Sequence, residues 1–319
     1  MKRFKKALMM AFGLVLVVGL AACGGGEKDN SDVKIGYAIN NLNDTFQTYI
    51  LESAQEAAKE NGFKVRVENA KEDLISQQDQ VNTLIQNGVK ALIVVPVDTS
   101  AMEPITKAAQ NANIPLVYVN RNPYAGKEDT MPENVYYVGS EEITAGIMQM
   151  DFVGEQLDGE GKIAVLMGIL GNEGAMKRTA GVEQVMKEKY PNMEILNKET
   201  AEWQRDKALT IAENWISTYG DDLKAIVANN DEMALGAVQA AKKNKRNDLI
   251  VTGVDAIPDA LEAVEKEELS ATVFQDGVGQ GEGSISIIKT VLDGDKPKEN
   301  VTYVPFQLVT KENVADFKK

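Results

Sequence analysis

The chain has 319 residues, with 34 Lys and Arg against 48 Asp and Glu, a formal net charge of −14, one cysteine and no histidine. That acidity argues against nucleic acid and anionic lipid surfaces as partners. Without histidine, and with Cys23 as the sole thiol, the chain has no serine-histidine triad, no cysteine-histidine pair, no disulfide and no zinc site of the usual type, which leaves carboxylates or lysine for any catalysis.

Lys2, Arg3, Lys5 and Lys6 precede an uncharged run from Ala7 to Ala22 that ends at Cys23. This is the build of a secretory signal. The run is shorter than the roughly 20 residues that a helix needs to cross a bilayer core. Leu20-Ala21-Ala22-Cys23 resembles the lipobox of bacterial lipoproteins, which implies lipidation of Cys23 and removal of residues 1–22 as a signal peptide. Residues 23–32 then form a lipidated cysteine and a glycine-rich flexible tether. Losing the four leader cations leaves 30 basic against 48 acidic residues, a net charge of −18.

From Val33 onward, short apolar runs alternate with amphipathic segments of helix length. In chain order the pattern predicts strand Val33–Ile39, helix Phe46–Asn61, strand Phe63–Glu68, helix Leu74–Asn87, strand Ala91–Val95, helix Met102–Asn113, and strands Pro115–Val119 and Val135–Val138. Helix Glu141–Gln156, strand Lys162–Met167, helix Arg178–Tyr190, strand Met193–Lys198, helix Lys207–Tyr219 and strand Ala225–Ala228 follow. Helix Glu232–Asn244, strands Leu249–Val254 and Ser270–Phe274, and helix Gly279–Leu292 complete the series. Asn61-Gly62 and Asn87-Gly88 mark helix ends where a positive φ closes the turn. Strands joined by helices imply an α/β fold with doubly wound parallel sheets. The similar segments Lys90–Val94 and Lys224–Ala228, and the length of about 290 residues, point to two domains of one kind.

Ligands of open parallel sheets gather beyond the carboxyl ends of the strands. There the sequence places Asn40 and Asp44 to Phe46, then Asn120 and Arg121, Asn172 leading to Arg178, Trp203, Asn230 and Asp231, Asp255, and Gln275. Amides, carboxylates, arginine and aromatic rings suit a neutral polyhydroxylated ligand, because they exchange paired hydrogen bonds with hydroxyls and cover C–H faces. No phosphate loop is present; Gly277-Val278-Gly279-Gln280-Gly281 reads as a turn and helix start. Singly, Asp44, Asn230 and Asp231 also read as helix caps, and Phe46 and Trp203 as packing residues. Arg178 near a helix start opposes the dipole unless an acid or a ligand meets it.

Asn230-Asp231-Glu232-Met233-Ala234-Leu235-Gly236-Ala237 resembles the ribose-binding branch of the type I periplasmic sugar-binding proteins. The stretch from Gly253 to Leu261, and Tyr136-Tyr137-Val138-Gly139-Ser140, resemble the glucose/galactose-binding branch. The likeness implies two lobes, residues 33–139 with 276–304 and 140–275 with 305–319, joined by crossovers near Gly139-Ser140, Gln275-Asp276 and Val304–Gln307. It also implies a sugar site of Asp44, Phe46, Trp203, Asn120, Arg178, Asn230, Asp255 and Gln275, with Arg121 and Asn40 at its edge. Asn172, also expected at the site, stands where the glucose/galactose branch has a histidine, and Gly174 where it has an aspartate.

The resemblance therefore implies a non-enzymatic, monomeric receptor without cofactor, which passes a monosaccharide to an ABC permease at the extracytoplasmic face; the departure at the calcium loop leaves it without a metal. Glucose or galactose stands first, then another aldose or inositol, then ribose. Alternatives are a sensory receptor using the same cleft and a receptor for an autoinducer. A glycosidase would pair Asp44 with Asp255, and a repressor would need a DNA-binding segment where this chain has a signal. Asp158-Gly159-Glu160-Gly161-Lys162 is too short for the branch's calcium loop. Calcium should accordingly leave the melting temperature where a chelator leaves it; a calcium-dependent rise would contradict this.

Overall fold

The computed structural model describes residues 33–318; the expected leader, Cys23 and the tether lie outside the described residues. Successive residues of the inner strands enter different cores, as burial on both faces of a sheet requires. Ala91, Ile93 and Val95 join one core, whereas Leu92 and Val94 join another; Ile226 and Ala228 are likewise divided from Ala225 and Val227.

The first half runs β1 (Lys34–Ile39), α1 (Thr45–Glu60), β2 (Lys64–Asn69), α2 (Leu74–Gln86), β3 (Ala91–Val94), α3 (Glu103–Asn111), β4 (Leu116–Val119) and β5 (Val135–Gly139). The second runs α4 (Glu142–Gln156), β6 (Glu160–Met167), α5 (Glu173–Lys189), β7 (Asn192–Thr200), α6 (Arg205–Tyr219), β8 (Leu223–Ala228), α7 (Asp231–Lys243), β9 (Ile250–Asp255), α8 (Pro258–Glu265) and β10 (Ala271–Phe274). Last come α9 (Gly277–Leu292), β11 (Val301–Tyr303) and β12 (Gln307–Val309).

Two sheets form, ordered β2-β1-β3-β4-β5-β11 and β7-β6-β8-β9-β10-β12. All pairings are parallel except β10 with β12. The orders match strand for strand, so the similar segments at Lys90 and Lys224 lead into equivalent third strands. Each sheet with its helices is one lobe, and the chain crosses between lobes after β5, after β10 and between β11 and β12. Two crossings touch, since Val304 N donates to Gly139 O at 2.7 Å.

Three local differences from the sequence expectations have physical causes. α8 is a short helix with Pro258 in its first turn, and β11 and β12 have three residues each, too few to show a period. α5 begins at Glu173 because Asn172 caps it, accepting from Gly174 N at 2.8 Å. Arg178 therefore lies in the second turn of α5 and not at its start, which removes the conflict with the dipole.

α4 and α5 meet backbone to backbone. A Cβ at Gly146 would lie 1.9 Å from the Arg178 carbonyl oxygen, and one at Gly181 would lie 2.4 Å from that of Ile143. Gly146→Ala must push the helices apart, at about 1–3 kcal/mol. The urea midpoint should fall accordingly, with an unchanged m-value.

Candidate functional site

The loops beyond both sets of strands face one another across a cavity lined from both lobes. From the first lobe, Asp44 caps α1 through Oδ1, accepting from Gln47 N at 3.3 Å, while Phe46 and Gln47 extend from the first helical turn. Asn120 and Arg121 follow β4; Asn120 has φ 67°, and Tyr137 Oη pins its carbonyl at 2.8 Å. From the second lobe come Asn172, Gly174 and Arg178 on α5, Trp203 before α6, Asn230 capping α7, and Asp255 ending β9. Glu142 enters from the first turn of α4, and Gln275 from the crossover after β10.

Ten of the eleven residues expected at the site line this cavity. Asn40 does not: it is buried beside it and donates from Nδ2 to Glu72 Oε1 at 2.7 Å. Glu72 in turn lies 3.6 Å from Arg121 Nη1. Arg121 lines the cavity and is 4% exposed, with Nη1 donating to Pro96 O at 2.9 Å and Nη2 3.9 Å from Asp44 Oδ2. Gln47 and Glu142 were missed. Each sits in the first turn of a helix that follows a strand, and the approach of the two lobes places it at the cavity.

Arg178 organises the second lobe's wall. Its Nε donates to Glu142 Oε2 at 2.5 Å, Nη1 to Asn229 O at 2.5 Å and Nη2 to Gln275 Oε1 at 3.2 Å, with Asp255 Oδ1 at 3.9 Å. The guanidinium lies 5.9 Å from the ring centroids of both Trp203 and Phe306. Trp203 reaches this place because residue 168 is glycine, where a Cβ would fall 2.0 Å from the indole. Asp255 has φ 120° and Ala256 φ 56°, an unusual backbone for non-glycine residues. It is held by Asp231, which accepts from Ile257 N at 3.0 Å and Thr272 Oγ1 at 2.6 Å, and by Ala256 N donating to Thr272 Oγ1 at 3.3 Å.

Several cavity atoms are buried without a protein partner. Gln47 Oε1 is an acceptor; Asn172 Nδ2, Gln275 Nε2 and Trp203 Nε1 are donors. They come from both lobes and from a crossover. Residues 35–296 match the model of the periplasmic binding protein domain. The chain belongs to the periplasmic binding protein family. It has the type I sugar-binding fold that serves ABC transporters.

Among relatives of this periplasmic binding protein is one from Rhizobium meliloti named for rhizopine binding, 40% identical over 89% of this chain and 92% of the relative. A xylitol-binding protein of Mycolicibacterium smegmatis is 36% identical over 93% of this chain and 83% of its own. An ABC transporter solute-binding protein of Bacillus halodurans, solved with bound myo-inositol, superposes with a TM-score of 0.83 at 36% identity, covering 91% of this chain and 98% of that one. These relatives are solute-binding proteins, not enzymes, and the family is extracytoplasmic. Among the described residues no cluster of acidic, histidine or cysteine side chains is arranged to hold a metal.

Burial dominates the electrostatics. It raises the Asp255 carboxyl well above the usual range, opposed in part by Arg178, and raises Asp44 against the pull of Arg121. Asp231 is pushed up to about 7 by burial, and Glu173 to about 8 by burial and then by Glu142. Unfolding returns both to roughly 4, so the folded state holds more protons between those values and stability falls as pH rises. The melting temperature of the ligand-free protein should therefore decline from pH 5 to pH 8 in thermal melts. Asp231→Asn, which keeps the shape and stays neutral, should flatten that slope.

Proposed function

We propose that this protein is an extracytoplasmic receptor, anchored by lipid at Cys23, that captures a cyclic polyol between its lobes and delivers it to an ABC permease. The observation that carries the reading is the set of orphaned donors and acceptors around one cavity. A ligand with a hydroxyl at every ring carbon can give and take a hydrogen bond at each, whereas a pyranose ring oxygen only accepts. The xylitol- and myo-inositol-binding relatives support placing myo-inositol ahead of glucose or galactose.

Phe46 and Trp203 at the cavity favour a second reading, an aldohexose with a C–H face between rings. The same cleft would serve a sensory receptor, with the permease replaced by a signalling partner.

Closure would bring residues 33–139 with 276–304 against 140–275 with 305–319, since a ligand shifts a conformational equilibrium only through differential affinity. Two contacts already join the lobes beside the cavity: Thr45 Oγ1 donates to Glu232 Oε1 at 3.2 Å, and Thr99 Oγ1 to Gly171 O at 3.3 Å.

Isothermal titration against myo-inositol, xylitol, glucose, galactose and ribose ranks the ligands directly. Myo-inositol should bind most tightly, and tighter binding of glucose or galactose would reverse the order. Asp255→Asn should weaken the best ligand by about 1–3 kcal/mol while the fold is kept. Unchanged binding would remove Asp255 from the site.

A further inference from the structure

Three carboxamides leave the cavity in single file. Gln47 Nε2 donates to Asn120 Oδ1 at 2.6 Å, Asn120 Nδ2 donates to Gln280 Oε1 at 3.2 Å, and Gln280 Nε2 donates to Ser140 Oγ at 3.5 Å. All four residues are at most 6% exposed. Gln47 and Asn120 line the cavity, whereas Gln280 lies behind them on α9 and Ser140 on the crossover from β5 to α4. At the inner end, Gln47 Oε1 is buried and has no protein partner.

A carboxamide has one accepting and one donating end, so in a chain each member fixes the next. Because Gln280 offers Oε1, Asn120 turns Nδ2 toward it and presents Oδ1 to Gln47. Gln47 must then spend Nε2 on Asn120 and aim Oε1 at the ligand. We propose that Gln47 is a specificity-determining contact that accepts a ligand hydroxyl hydrogen, and that Gln280 is the positioning residue that fixes this polarity through Asn120. The inference rests on the polyol reading above and names the atom that reads one hydroxyl as a donor. A ligand without that hydroxyl would leave a buried acceptor unpaired, which discriminates more strongly than the loss of a contact between exposed groups.

The test is titration of the mature protein with myo-inositol and its set of mono-deoxy analogues, using the natural chain, Gln47→Met, Gln280→Met and Gln280→Glu. The natural chain should lose about tenfold or more in affinity for at least one analogue. Gln47→Met should bind myo-inositol more weakly and show no further loss on that analogue. Gln280→Met should shrink the same discrimination, and Gln280→Glu, which keeps the acceptor facing Asn120, should retain it.

Full discrimination in Gln47→Met for every analogue would overturn the contact. Gln280→Met that lowers the melting temperature yet discriminates as before would overturn the positioning role. If the folded natural chain binds no polyol, the functional reading fails and takes this inference with it. Polyol binding without discrimination that depends on Gln47 defeats this inference alone.

Discussion

A guanidinium buried between two helices and a sheet is the constraint around which the cleft is built. Arg178 is 5% exposed, and a charge so placed is tolerated only when its hydrogen bonds are met. Glu142, Asn229 and Gln275 meet them from three separate elements, so the requirement for compensation is also a requirement for geometry. The close approach of α4 and α5 through Gly146 and Gly181 sets the Glu142 distance, and the crossover at Gln275 supplies the far partner. The wall of the cavity is thereby held by the protein's own hydrogen bonds, and such preorganisation lowers the ordering cost of binding.

The first lobe meets the same problem with weaker means. Arg121 draws on two backbone carbonyls, with Asp44 and Glu72 close by, and none of its carboxylate distances is shorter than 3.6 Å. The lobes therefore bring different surfaces to one ligand. One is wired through Arg178 to Glu142, Asn229 and Gln275; the other presents Gln47 and Asn120 beside Asp44, which both caps α1 and faces the cavity. Capping and lining are not competing roles here, because a cap residue stands at the mouth of its helix, which is where the cleft is.

Much of this arrangement was legible in the sequence. Short unbroken aliphatic runs such as Ala91 to Val95, rich in β-branched residues, read as strands buried on both faces, and their recurrence between helix-length segments left a parallel sheet as the consistent answer. Strand ends then led to Asp44, Asn120, Arg178, Trp203, Asn230 and Asp255. What escaped had no local signal. Gln47 and Glu142 are ordinary helix-surface residue types, and only the tertiary approach of the lobes makes them cavity residues. Asn40 carried the signal of a strand end but turned inward to Glu72. α5 begins at Glu173, ahead of the predicted Arg178, because the cap at Asn172 and the backbone contact with α4 hold the intervening turn helical.

The sheet edges have a separate consequence. β2 and β7 close one side of each sheet, and β11 and β12 the other. The first pair is studded with exposed or half-exposed charges, Lys64, Arg66 and Glu68 on β2 and Glu194, Lys198 and Glu199 on β7. The second pair has three residues each, and β12 runs against the grain of its neighbour. Long, flat, apolar edges invite strands of other molecules to join them; short or charged edges refuse. Neither sheet thus offers an edge on which a strand of another molecule could readily extend it.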